Sequence, residues 1–127
     1  MKITSARILV VDDEPVMLKY VTDTLRRLGI QSIESCSDGT DALRTMANFK
    51  PDLVLTDIHM KPMGGLEFVR LLRSVSNPAV GNTKVIFMSA DASSETLGKA
   101  LPLGASGYIV KPPSLETLMA KLELALG

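Results

Sequence analysis

Short aliphatic and β-branched runs alternate along the chain with stretches in which apolar positions recur every three to four residues. The first run, Arg7 to Val11, is apolar after Arg7, and Pro15 to Leu28 follows with Met17, Val21, Leu25 and Leu28 on one helical stripe. Gly29 is placed to close that helix as a C-terminal cap. Ser32 to Cys36 reads as a weaker second strand, and Asp38 opens a helix whose Ala42, Leu43, Met46 and Ala47 face inward. Asp52 to Thr56 is a third strand, followed after a Gly/Pro-containing loop by a helix over Leu66 to Arg73 with Phe68, Val69 and Leu72 as its apolar face.

Ser74 to Thr83 holds Asn77, Pro78, Gly81 and Asn82 and reads as a surface connection. Lys84 to Met88 is the fourth strand, and Ser93 to Leu101 a short helix stopped by Pro102 and Gly104. Ser106 to Val110 is the fifth strand. Ser114 then caps a last helix with Leu115, Leu118, Met119, Leu122 and Leu126 at helical spacing. Such a βα rhythm predicts an α/β fold with a parallel sheet, and short right-handed crossovers make it doubly wound, with helices on both faces. Ligands in such folds bind beyond the carboxyl ends of the strands.

The unusual residues lie at those ends. Asp12, Asp13 and Glu14 follow the first strand and Asp57 follows the third, so neighbouring strands would bring three or more carboxylates together. Asp12 or Asp13 also suits the plainer task of capping the next helix ahead of Pro15. A carboxylate cluster is costly without a cation, and hard oxygen ligands suit Mg²⁺. Ser89 and Lys111 stand at the ends of the fourth and fifth strands. A helix-capping Ser and a surface Lys are the ordinary readings, but together a hydroxyl and an ammonium can hold the oxygens of a phosphoryl group attacked by Asp57.

Composition narrows the partners. In 127 residues, 46% of them hydrophobic, there is material for one domain with one core. Lys+Arg and Asp+Glu both number 14, which gives no general pull toward nucleic acid or membranes. No apolar run is long enough to span a bilayer and the first residues lack a signal-peptide core, so a cytoplasmic protein without membrane insertion is expected. The single cysteine, Cys36, fits a reducing compartment and reads as a small buried hydrophobe.

With Asp12-Asp13-Glu14, Asp57, Ser89 and Lys111-Pro112 in register, and Met60, Gly65, Gly104-Ala105 and Tyr108 at matching places, the whole chain resembles the receiver domains of bacterial response regulators. The resemblance implies a flavodoxin-like (βα)5 sheet in the order 2-1-3-4-5 and a free-standing receiver over residues 1–127 with no output domain. Asp57 would be the phosphoacceptor. Asp13 would bind Mg²⁺ with Asp57 and the backbone carbonyl of His59, while Asp12 acts mostly through water. Ser89 and Lys111 would hold phosphoryl oxygens, and Ser89 with Tyr108 would carry the switch. His59 and Asp91 would tune phosphoryl lifetime, and Lys111-Pro112 would be a cis peptide.

The same resemblance implies a histidine kinase or histidine phosphotransfer protein as donor and a separate protein target. The module would assist its own phosphorylation and dephosphorylation without being an enzyme. Its output surface would lie on the helix over Ser93–Leu101, the fifth strand and the last helix. Departures from the family pattern are Lys61 ahead of Pro62, where relatives often place proline one residue earlier, and Gly64-Gly65 in place of Asp-Gly. Two rivals differ in class. An aspartate-nucleophile phosphatase would carry its nucleophile after the first strand and need a cap, and a phosphate-independent binding module would have no use for a costly charge cluster.

Overall fold

The computed structural model describes residues 1–90 and 93–127. Its strands are β1 (Arg7–Val11), β2 (Ser32–Cys36), β3 (Leu53–Asp57), β4 (Lys84–Ser89) and β5 (Gly107–Val110). They form one parallel sheet in the order β2-β1-β3-β4-β5. The helices are α1 (Pro15–Arg27), α2 (Gly39–Phe49), α3 (Gly65–Arg73), α4 (Pro78–Gly81), α5 (Ser94–Ala100) and α6 (Leu115–Leu126).

Each strand alternates its side chains between two cores, because neighbouring Cβ atoms point to opposite sheet faces. Ile8, Val10, Leu53, Leu55, Ile86 and Met88 face α1 and α6, where Val21, Leu25, Leu118 and Leu122 complete one core. Leu9, Val11, Val54, Val85 and Phe87 face α2, α3 and α5, where Met46, Phe68, Val69 and Leu72 complete the other. The central strands are apolar on both sides because both faces are covered. Gly29 closes α1 at φ 89°, a left-handed conformation that glycine adopts without a Cβ penalty.

Several boundaries and faces differ from the sequence reading. The connection over Ser74–Thr83 contains the one-turn helix α4, and the residues that signalled a loop are the ones that start it. Asn77 Oδ1 accepts the Ala79 N–H at 3.1 Å, and Pro78 occupies the first turn, where its missing N–H costs nothing. β3 starts and ends one residue later than expected, since Asp57 pairs with Met88 in the ladder, and β4 runs one residue further because Ser89 pairs with Val110. Ala47 and Met119 are exposed, because the buried stripes of α2 and α6 are narrower than the apolar pattern. Cys36 is half-buried, its Sγ 3.3 Å from the Thr45 hydroxyl. Among the described residues, no helix is long and apolar enough to cross a membrane.

Candidate functional site

Ladder register brings the chemistry together. Val11 lies opposite Thr56, so Asp12 and Asp57 reach the carboxyl edge of adjacent strands at the same level. Ser89, the last residue of β4, lies opposite Val110, so Lys111 emerges one step beyond. The Lys111 N–H donates to the Ser89 carbonyl at 2.9 Å, which fixes where the lysine leaves the sheet.

The Lys111 ammonium then turns back over the sheet edge to the carboxylates. It lies 2.8 Å from Asp12 Oδ2, 3.1 Å from Asp57 Oδ2 and 3.5 Å from Glu14 Oε1. Asp12 and Asp57 are buried, whereas Asp13 and Glu14 are exposed, and one carboxylate oxygen from each of the four lies within 4.8 Å of the others. Asp57 Oδ1 accepts the Ile58 N–H at 2.8 Å, leaving Oδ2 for the lysine. Burial pushes the Asp57 carboxyl above its ordinary pKa, and the neighbouring Asp12 charge adds to this, although Lys111 pulls the other way. For Lys111, burial works against the charge, but hydrogen bonds to Asp12 and Asp57 outweigh it and raise its pKa.

Among the described residues four carboxylates face one ammonium, so the site carries an excess of negative charge that a hard cation would neutralise. The helix-capping reading of Asp12 and Asp13 does not hold. Glu14 is the N-cap of α1 and no side chain caps it, while the Asp12 carboxylate accepts the Glu14 N–H at 2.9 Å. Asp12 is also engaged directly with Lys111.

The loop after Asp57 is held by close approach of its backbone. The Gly65 N–H donates to the Ile58 carbonyl at 2.9 Å. A Cβ on Gly65 would sit 2.0 Å from the Asp57 carbonyl oxygen, so only glycine fits. His59 is exposed and lines an open cleft with Asp13, Met60, Lys61 and Gly64. Ser89 is buried at the sheet edge, and Tyr108 is half-buried on β5, opposite Phe87 and packed on the α2/α3 core. Lys111-Pro112 is cis as expected, and so is Lys61-Pro62. Asp91 lies outside the described residues.

Two contacts were missed by sequence reasoning. Glu14 reaches Lys111, and the Tyr20 hydroxyl donates to the Pro113 carbonyl at 2.7 Å. The triplet Asp12-Asp13-Glu14 pointed toward the first, but no local pattern marks the second.

Residues 8–123 match the family model described as the response regulator receiver domain. The chain is 33% identical to chemotaxis protein CheY1 of Helicobacter pylori over 122 residues, covering 95% of this chain and 97% of that one. It is 33% identical to chemotaxis protein CheY-3 of Vibrio cholerae, covering 92% and 88%. The solved structure of Vibrio cholerae chemotaxis response regulator CheY4 superposes with a TM-score of 0.84 at 30% identity, covering 94% of this chain and 98% of that one. With the acidic cluster, the buried aspartate and the lysine joined at the sheet edge, the chain belongs to the response regulator receiver domains, the phosphoacceptor modules of two-component signalling.

Proposed function

We propose that Asp57 takes a phosphoryl group from the phosphohistidine of a histidine kinase or histidine phosphotransfer protein, with Mg²⁺ as the required cation. The observation that carries this reading is the convergence of Asp57, Asp12 and the Lys111 ammonium at one sheet edge. An Asp57 oxygen attacks phosphorus, the bond to the donor imidazole nitrogen breaks, and its electron pair leaves with the imidazole.

Asp13 and Asp57, with the His59 carbonyl and Asp12 beside them, would hold the Mg²⁺, which when bound neutralises charge on the carboxylates and the phosphoryl oxygens. Lys111 moves from Asp57 to a phosphoryl oxygen, and Ser89 donates its hydroxyl to another. His59 and Asp91 tune the lifetime of the product. The exposure of His59 in the cleft beside Asp13 supports its share of that role. The protein is a signalling module acting in the cytoplasm, and it turns over no separate substrate.

Phosphorylation shifts the population between two conformations through Ser89 and Tyr108 and changes the surface of α5, β5 and α6. Leu101 just after α5, Val110 on β5 and Met119 on α6 are exposed apolar side chains, which supports a protein target there. The test is intact-protein mass after incubation with acetyl phosphate and Mg²⁺, beside Asp57→Asn and a chelated control. A Mg²⁺-dependent gain of one phosphoryl group, absent in the variant, is expected. No gain in a folded protein, with rapid hydrolysis excluded by quenched time points, overturns the proposal.

A further inference from the structure

Lys111 depends on a loop that has little backbone of its own with which to hold its shape. Pro112 and Pro113 have no N–H to donate, and the Ser114 side chain is committed to α6, where its Oγ accepts the Thr117 N–H at 3.0 Å. On the upstream side the loop is anchored by the Lys111 N–H on the Ser89 carbonyl. On the downstream side the Pro113 carbonyl accepts the Tyr20 hydroxyl at 2.7 Å, a bond between α1 and a residue 93 positions later.

Tyr20 is 40% exposed and lies off the buried stripe of α1, so its ring is not there to fill the core. Its helix is a firm support, because Val21 and Leu25 are fully buried. Glu14, the N-cap of the same helix, lies 3.5 Å from the ammonium.

We propose that Tyr20 is a positioning residue for Lys111. Its hydroxyl clamps the Pro112-Pro113 loop to α1 and so keeps the ammonium aimed at the Asp57 carboxylate. This role rests on the reading of Asp57 as phosphoacceptor, since Lys111 must then find a phosphoryl oxygen within a narrow range of positions.

Tyr20→Phe keeps the ring and removes only the hydroxyl. With acetyl phosphate and Mg²⁺, its maximal rate of phosphoryl uptake is expected to fall roughly five-fold, while the half-saturating concentrations of donor and Mg²⁺ stay unchanged. In the unphosphorylated protein, hydrogen exchange at the Lys111 amide is expected to rise by a similar factor, with the Val21 and Leu25 amides unchanged. Unchanged exchange at Lys111 overturns the clamp, and so does a rise spread evenly along α1, which would make the hydroxyl a support of the helix alone. An unchanged maximal rate overturns the positioning role. If the wild-type chain takes up no phosphoryl group, the acceptor reading fails and the positioning role with it, while exchange still decides whether the clamp exists.

Discussion

The ammonium of Lys111 lies 2.8 Å from Asp12 and 3.1 Å from Asp57, so one cation is shared between the two buried carboxylates of the cluster. Its side chain is 6% exposed, so water screens these pairs poorly. Breaking a buried ion pair from one side leaves uncompensated charge, which costs about 3–5 kcal/mol. Lys111→Met should therefore lose stability of that order in urea titrations with chelator present, and added Mg²⁺ should restore much of it. A variant as stable as wild type under chelation would show that the lysine does not offset the aspartates.

Asp57 offers the opposite sign. Its pKa is raised, chiefly by burial, so the ionised form costs folding free energy that the protonated form does not. The cost is absent below the unfolded carboxylate pKa of about 4, grows as pH rises through the folded value, and is constant above it. Asp57→Asn removes the charge but keeps the shape. Its melting temperature at neutral pH in chelator is expected to exceed that of wild type, with the gap closing toward acid pH. A lower melting temperature would mean that the Lys111 pairing outweighs burial and the Asp12 repulsion.

Much of this arrangement is legible from residue order. The sheet and its helices follow from β-branched runs and helical stripes, and the positions of Asp12, Asp57, Ser89 and Lys111 at strand ends place them at one edge once the strands are parallel. α4 was hidden because one turn has no period, and Asn77 and Pro78 serve a loop or a helix start equally well. Ala47 and Met119 lie one column outside the buried stripes, a difference that apolar spacing does not resolve. The Tyr20 bond to Pro113 links residues that meet only after β1 and β5 take their places, so no window of sequence contains it.

Two glycines separate close approach from simple flexibility. A Cβ on Gly65 would meet the Asp57 carbonyl oxygen at 2.0 Å, whereas nothing lies within 4 Å of a Cβ on Gly98, inside α5. Gly65→Ala must displace the backbone that presents Asp57, at a cost of about 1–3 kcal/mol. Gly98→Ala meets only open space and gains roughly 0.5–1 kcal/mol of helix propensity. Thermal melts of the two variants should therefore move in opposite directions, and phosphoryl uptake should fall only in Gly65→Ala. Stabilisation by both would mean that the loop after Asp57 yields without cost.

Arg73 closes the end of the sheet away from the acceptor. Its guanidinium donates to the carbonyls of Leu103, Gly81 and Thr83 at 2.8, 2.9 and 2.6 Å, tying α3 to the segments that lead into β4 and β5. Burial lowers its pKa, yet guanidinium remains charged at any working pH. The planar fork reaches several acceptors at once, which a lysine ammonium on a flexible stem does not reproduce. Arg73→Met leaves partly buried carbonyls without donors, at about 1–3 kcal/mol for each one that water fails to reach. Arg73→Lys should recover less than half of the lost stability in urea titrations, while phosphoryl uptake per folded molecule stays at the wild-type level in both variants, because none of these contacts touches Asp57 or Lys111. Full recovery by lysine would reduce the role of Arg73 to charge alone, and a fall in uptake without unfolding would show that the far end of the sheet is coupled to the acceptor site.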